Sequence, residues 1–167
     1  WDDKFSIAVN YFPKSVIPDE LIPILTEALQ LANRDDLDIC VEITEHSLSS
    51  ELITEVQCLK AQGFLIAVDD FGTGYSNLKS VTKLSPHRLK IDRSFVHELE
   101  DATLRSSLIA EIVNIGRAID ADTVAEGIEN MEQARLLLAA GVRYGQGYAL
   151  ARPMQMAQFV AFMNRFK

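Results

Sequence analysis

Short stretches that alternate between apolar and polar residues recur along the chain, and longer amphipathic stretches separate them. The alternation predicts β-strands and the helical periodicity between them predicts helices. The six predicted strands cover residues 5–10, 38–44, 64–69, 88–92, 122–126 and 142–146. The predicted helices cover residues 19–32, 49–61, 77–84, 103–119, 131–140 and 155–166, with a short helical turn capped by Ser94. Strands that alternate with helices run parallel, because each connection must cross over the sheet.

Two architectures contain such a repeat, an open doubly wound sheet and a closed barrel. A doubly wound sheet is complete with six strands, whereas a (β/α)8 barrel needs eight strands and about 250 residues. In the second strand, one face carries Ile39, Val41 and Ile43, and the opposite face carries a polar residue, Glu42, at its C-terminal end. A sheet covered on both sides would more often be apolar on both faces. We therefore predict an α/β fold of the (β/α)8 TIM-barrel type with about six units present, whose missing strands precede Trp1 or come from another chain.

The composition is typical of one globular domain over residues 1–167. The chain is 48% hydrophobic, it has no apolar run near the about 20 residues that span a bilayer, and no signal-peptide pattern begins it. Cys40 and Cys58 form no CxxC pair and lie in apolar segments, so we predict two buried thiols in a reducing compartment, the cytoplasm. The 24 acidic residues outnumber the 16 basic ones, which argues against a general nucleic-acid surface.

Polar side chains stand at the C-terminal ends of all the predicted strands, where a barrel would gather them at one mouth. They are Asn10, Glu42, Asp69, Asp70, Lys90, Asp92, Glu126 and Gln146. The adjacent Asp69 and Asp70 repel each other unless a cation neutralises them. Carboxylate and amide oxygens suit Mg²⁺ or Mn²⁺, and a pair of such ions is a common device for phosphoester hydrolysis. Lys90 would then hold the attacking water or stabilise charge on phosphorus.

Each of these residues also has an ordinary structural explanation. Asp69 and Asp70 could form a solvated strand end that leads into a glycine-rich turn. Lys90 could pair only with Asp92, two residues further on, and Glu126 could cap a loop. For any one residue, this structural explanation is as good as the metal-site interpretation. It explains poorly why all six strands end in polar residues.

Several longer motifs resemble those of the EAL domain family, and they follow one another in the family's order over nearly the whole chain. They are EITE at residues 42–45, DDFGTGYS at 69–76, LKIDRSFV at 89–96, AEGIE at 125–129 and QGY at 146–148. Members of that family are cyclic-di-GMP-specific phosphodiesterases with a (β/α)8 barrel. The resemblance implies that two Mg²⁺ or Mn²⁺ ions act in hydrolysing cyclic-di-GMP to linear pGpG.

The resemblance also implies a role for each matching residue. The implied metal ligands are Asn10, Glu42, Asp69, Asp70 and Glu126, the last of which is alternatively a general base. Lys90 is implied as the catalytic lysine and Gln146 as a residue that positions water. Glu45 resembles the glutamate that anchors the loop at 71–76, which the family links to dimerisation, so a homodimer is expected, with shared or swapped barrel segments as one form of it. Asp92 and Glu129 match motif positions that support the site from outside.

One segment of the family pattern is absent. The Glu-Ala-Leu motif, with its metal-binding glutamate and a nearby substrate-binding arginine, belongs to the first strands of the barrel, which this chain lacks. Glu27, Ala28 and Leu29 spell the same letters but lie in the predicted helix at 19–32. Two other hypotheses therefore stay open beside the phosphodiesterase. One is a catalytically silent module that binds cyclic-di-GMP or a protein partner, and the other is an unrelated doubly wound protein without metal affinity.

Overall fold

The computed structural model describes residues 5–12, 17–73, 78–97, 99 and 105–165. Six strands lie in these ranges: β1 Phe5–Asn10, β2 Leu37–Thr44, β3 Leu65–Phe71, β4 Arg88–Ile91, β5 Asp122–Ala125 and β6 Tyr144–Gly145. Seven α-helices accompany them: α1 Pro18–Ala32, α2 Ser50–Ala61, α3 Leu78–Leu84, α4 Arg93–His97, α5 Arg105–Ala118, α6 Met131–Ala140 and α7 Met156–Met163. A 3₁₀-helix, Glu45–Ser47, follows β2. The predicted helix starts at 77 and 103, and the predicted end at 166, fall outside the described residues.

All six strands are parallel and stand side by side in chain order, from β1 to β6. A doubly wound sheet reverses its strand order at a switch point, so that alternative is wrong. The sheet is curled: Arg88 of β4 donates a hydrogen bond of 2.9 Å to Ser6 of β1, although two strands lie between them. A flat sheet would hold these residues too far apart for such a bond. The predicted α/β barrel fold is confirmed as an open, curled part of a barrel.

The outer face of the sheet forms the core beneath the helices, as the alternation predicted. Aliphatic side chains of the central strands are fully buried there: Val41, Ile43, Ile66, Val68, Leu89 and Ile91. They share one cluster with apolar residues of α2 and α5, among them Val56, Leu59 and Ile109. Each such side chain contributes roughly 1.5–3 kcal/mol by leaving water. This apolar layer leaves the inner face of the strands free to carry polar groups.

The ends of the helices are set by local hydrogen bonds. Ser49 caps α2 by accepting a hydrogen bond from the backbone of Leu52, as its position predicts. The predicted cap of the short helix α4 at Ser94 is wrong, because Asp92 accepts the hydrogen bond from the Ser94 backbone. Gly141 ends α6 with a left-handed φ of 92°.

The two cysteines occupy different environments. Cys40 is buried on the inner face of β2, as predicted, whereas Cys58 is exposed. The prediction for Cys58 is wrong because the inward stripe of α2 is formed by Leu52, Val56 and Leu59, which leaves the intervening position at the solvent. Within the described ranges, no helix has the length and apolar character needed to cross a lipid bilayer.

Candidate metal centre

The two adjacent aspartates at the end of β3 face the same site because the strand bulges there. In a regular strand, neighbouring side chains point to opposite faces. The pairing with β4 slips by one residue between Val68 and Phe71, and Asp70 takes a left-handed φ of 54°. The Asp70 backbone N–H donates a 3.0 Å hydrogen bond to Asp69 Oδ1. As a result, carboxylate oxygens of Asp69, Asp70 and Glu126 lie within 4.8 Å of one another.

Lys90 lies at the centre of this acidic group. Its Nζ is 2.6 Å from Glu42 Oε2, 3.0 Å from Asp69 Oδ1 and 2.6 Å from Glu126 Oε1. These partners come from β2, from β3 and from the residue after β5, so three strands converge on one ammonium. The Lys90 side chain is only 6% exposed. The alternative in which Lys90 pairs only with Asp92 is therefore wrong.

The site carries more negative than positive charge. Burial alone would lower the pKa of Lys90, but hydrogen bonds to Glu126 and Glu42 outweigh it and raise that pKa, so the ammonium stays charged. Burial raises the pKa of Glu126 although Lys90 opposes this. Burial and the neighbouring Asp69 charge raise the pKa of Asp70. Three carboxyl groups thus contact a single ammonium and a fourth, that of Asp70, lies beside two of them, so the excess negative charge favours a further cation.

The donor set fits a divalent metal. Asp69, Asp70 and Glu126 offer hard carboxylate oxygens, and this group contains no cysteine or histidine. Oxygen-only ligands suit Mg²⁺, Mn²⁺ or Ca²⁺ rather than softer metals. Of the predicted metal ligands, the structure therefore gathers Glu42 and these three around Lys90.

Asn10 and Gln146 lie on the mouth side of the sheet but outside this cluster. Asn10 ends β1 and pairs in register with Glu42 of β2. Gln146 follows β6, where its backbone N–H donates a 2.8 Å hydrogen bond to the carbonyl of Ala125. Both are exposed, and within the described part of the chain no hydrogen bond or ion pair joins either side chain to the Lys90 group.

Glu45 connects the end of β2 to the loop that follows β3. Its side chain is buried, and Oε2 accepts a 2.8 Å hydrogen bond from the backbone N–H of Gly72. Gly72 has a left-handed φ of 96°, which places that N–H next to the carboxylate. Oε1 is buried without a hydrogen-bond partner among the described residues. The contact is the one that a loop anchor requires.

Asp92 borders the centre, where its charge and a side-chain hydrogen bond add to the raised pKa of Asp70, whereas Glu129 lies outside it. Asp92 precedes α4. Burial alone would raise its pKa, but hydrogen bonds from Ser94 and from the Arg93 backbone together outweigh burial and lower that pKa. The exposed side chain of Glu129 lies 3.6 Å from His97 Nε2. Between these two acids, Gly127 packs so closely that a Cβ would lie 2.6 Å from the Cβ of Arg93, which fixes the loop after β5 against α4.

Arg88 and Tyr144 are absent from the predicted site residues, yet they line the inner face below the site. Arg88 donates to Ser6 of β1, and its guanidinium lies 5.5 Å from the centre of the Tyr144 ring on β6. Strand parity could have identified both residues, because side chains two residues apart in a strand point to the same face. Arg88 lies two residues before Lys90, and Tyr144 lies two residues before Gln146.

The fold and the site together define a parallel β/α-barrel protein with an acidic centre at the C-terminal mouth of its strands. The sequence profile of the EAL domain matches residues 1–153. The chain therefore belongs to the EAL domain family, and the resemblance of its motifs is confirmed.

Individual relatives show the same family. The chain is 30% identical over 172 residues to cyclic di-GMP phosphodiesterase PdeR of Escherichia coli K12, a match that covers 99% of this chain and 26% of PdeR. It superimposes on PaMucR phosphodiesterase in complex with c-di-GMP with a TM-score of 0.80 and 33% identity, covering 92% of this chain and 64% of that one. It superimposes on the manganese and cyclic-di-GMP complex of Klebsiella pneumoniae BlrP1 with a TM-score of 0.74 and 29% identity, covering 87% and 38%. The chain spans only 26% of PdeR and 24% or less of several other curated relatives.

Proposed function

We propose that this chain forms most of the catalytic barrel of a metal-dependent phosphodiesterase that hydrolyses cyclic-di-GMP to linear pGpG. The observation that carries the proposal is the convergence of carboxylates from three strands on Lys90. Membership of the EAL domain family and the c-di-GMP bound to the similar PaMucR structure support the substrate class. The manganese in the similar BlrP1 structure supports a divalent ion at such a site.

The proposed metal ligands are the four clustered carboxylates Glu42, Asp69, Asp70 and Glu126, with the amide oxygen of Asn10 at the edge of the site. Two Mg²⁺ or Mn²⁺ ions are proposed because four carboxylates exceed what one ion and one ammonium neutralise. When bound, such ions lower the pKa of water and offset the charge of the phosphodiester.

The side chains around the proposed metal site are assigned separate roles in the reaction. Lys90 remains positively charged and donates hydrogen bonds, so we propose that it orients the attacking water and stabilises negative charge that develops on phosphorus. Glu126 holds Lys90 through Oε1, which leaves Oε2 either to bind a metal ion or, as the alternative role, to accept a proton from the water, and the raised pKa of Glu126 suits the second role. Gln146, just after β6, is proposed to position water or substrate at the opposite side of the mouth.

Glu45 is proposed to hold the loop after β3 through Gly72, and so to keep Asp70 in position for the metal. Asp92 and Glu129 are proposed to support the site from the following loops. Assembly into a homodimer and a cytoplasmic location stay predictions.

The test compares the intact protein with its Asp69→Asn and Lys90→Ala variants. Cyclic-di-GMP hydrolysis is followed by chromatography of the nucleotides under saturating Mg²⁺ or Mn²⁺, and metal binding is followed by calorimetry. We expect both variants to lose turnover and Asp69→Asn also to lose metal affinity, whereas Glu132→Gln on the exposed face of α6 serves as a control that loses neither. Retained turnover in both variants would contradict the assigned chemistry. Binding of intact cyclic-di-GMP without metal would instead favour the silent module.

A further inference from the structure

We infer that Arg88 is a positioning residue that sets the distance between the two outermost described strands, β1 and β6, and thereby holds Asn10 and Gln146 at the mouth of the site. This inference rests on the proposed function, because it concerns the residues around the metal centre. Arg88 itself contacts none of the acidic ligands.

Two successive side chains of β4 on the concave face, those of Arg88 and Lys90, contact different sets of strands. Lys90 contacts residues of β2 and β3 and the residue after β5. Arg88, one layer below, interacts with Cys40 of β2 and also reaches β1 and β6, the two outermost described strands. Its Nη1 donates a 2.9 Å hydrogen bond to Ser6 Oγ on β1, and its guanidinium lies 5.5 Å from the Tyr144 ring on β6.

The hydrogen bond to Ser6 depends on the curvature of the sheet. In a flat parallel sheet, β1 and β4 would be roughly 14 Å apart, because neighbouring strands lie about 4.8 Å apart. The bond forms across the solvent-open concave face of the curled sheet, so it links β4 directly to β1. A guanidinium suits this position because its fork of donors reaches the hydroxyl while its positive charge lies over the aromatic ring. A lysine ammonium is a single point charge without that fork, so it matches the two contacts less well.

Arg88 links the first and the last of the described strands, which carry the two mouth residues. Among the described strands, β1 pairs only with β2, and β6 pairs only with β5. Ser6 and Asn10 lie on the same face of β1, while Tyr144 and Gln146 lie on the same face of β6. Movement of either strand away from Arg88 would therefore carry a mouth residue away from the Lys90 group.

Arg143, the residue just before β6, provides a matched control. Arg143 also lies 5.5 Å from the Tyr144 ring and donates a 2.9 Å hydrogen bond to Asp122 Oδ1 on β5. It makes no contact with β1 within the described part of the chain. Arg143→Met thus removes the same kind of side chain from the same ring without removing the link across the interior.

The experiment measures Mn²⁺ affinity by calorimetry, and kcat and KM separately, for Arg88→Met, Arg88→Lys, Ser6→Ala, the Arg88→Met/Ser6→Ala double variant and Arg143→Met. We expect Arg88→Met to lower Mn²⁺ affinity and kcat about tenfold, the scale seen when groups that orient ligands are removed. KM should change little, because Arg88 does not touch the substrate. Arg88→Lys should recover part of the loss, Ser6→Ala should show part of it, and Arg143→Met should bind Mn²⁺ like the unaltered protein.

The double variant should be no worse than Arg88→Met, because the two residues act through one bond. Unchanged Mn²⁺ affinity in Arg88→Met, an equal loss in Arg143→Met, or additive losses in the double variant would overturn the inference. Should Arg88→Met fail to fold, Ser6→Ala decides the question, since it removes only the hydroxyl acceptor. Absence of Mn²⁺ binding by the unaltered protein would contradict the proposed function itself, and the inference with it.

Discussion

Replacing Lys90 by methionine in the metal-free protein tests whether its ammonium is the counter-ion that holds the acidic centre together. Methionine has nearly the length and shape of the lysine stem, so the change removes the charge and little of the packing. The variant leaves Glu42, Asp69 and Glu126 facing one another without a cation. The folded state should therefore lose stability in the absence of metal.

The magnitude follows from the burial of the pair. Removing one partner of a buried ion pair typically costs about 3–5 kcal/mol, because the other charge stays buried without compensation. Lys90 is 6% exposed, but Glu42 and Glu126 are 11% and 20% exposed, so water screens part of the repulsion. We therefore expect a loss of about 3 kcal/mol, at the lower end of that range.

The assay is urea unfolding followed by circular dichroism, with EDTA and then with Mn²⁺. Mn²⁺ should restore much of the lost stability, because a ligand at a hundred times its Kd stabilises the folded state by about 2.7 kcal/mol. Lys83→Met, on the exposed side of α3, is the control and should unfold like the unaltered protein in both conditions. Equal unfolding free energies for Lys90→Met and the unaltered protein in EDTA would refute the reasoning.

Substitutions at three further positions test other parts of the structure. Glu45→Ala should lower stability by about 1.5–3 kcal/mol, because it removes a charge-assisted hydrogen bond to the Gly72 backbone, and Glu45→Gln should lose less. Burial lowers the pKa of His87, whose Nδ1 accepts a 2.9 Å hydrogen bond from the Ile66 backbone, so the unfolded chain binds more protons below the ordinary histidine pKa of about 6.5. Stability should thus fall as the pH drops below that value, and less steeply in His87→Asn. Gly147→Ala should lose about 1–3 kcal/mol or more, because its Cβ would lie 2.2 Å from backbone atoms of the loop after β5.

Each of these expectations has an outcome that contradicts it. Equal stability of the alanine and glutamine variants at position 45 would show that Gly72 does not need the carboxylate oxygen. A pH profile of His87→Asn that is parallel to that of the unaltered protein, or matched by the exposed His46→Asn, would remove His87 from the explanation. Unchanged melting of Gly147→Ala, compared with a substitution at an exposed alanine such as Ala139, would show that the loops after β5 and β6 can separate.

Much of the fold was predictable from the sequence because strand parity is a local property. The aliphatic positions of β2 and β4 lie on the covered face, and Glu42 and Lys90 lie on the other, as the alternation predicts. The convergence of polar strand ends was predictable for the same reason, since parallel strands end on the same side.

The remaining features depend on irregularities that no pattern displays. A strict two-residue period would place Asp69 and Asp70 on opposite faces, and only the bulge turns both toward the site. The role of Arg88 depends on a strand far away in the sheet, so its neighbours along the chain do not reveal it. The exposure of Cys58 depends on which side of α2 faces the sheet. The sequence around Cys58 is apolar on several sides, so it does not predict which side that is.

The left-handed backbone at residue 70 limits how this protein can change during evolution. Aspartate, asparagine and glycine adopt a φ near 54° at little cost, whereas branched residues do not. Asparagine or glycine here would remove the negative charge and preserve the bulge, while most other residues would also disturb the strand. A relative that keeps this bulge but lacks the carboxylate is therefore expected to carry asparagine or glycine at this position.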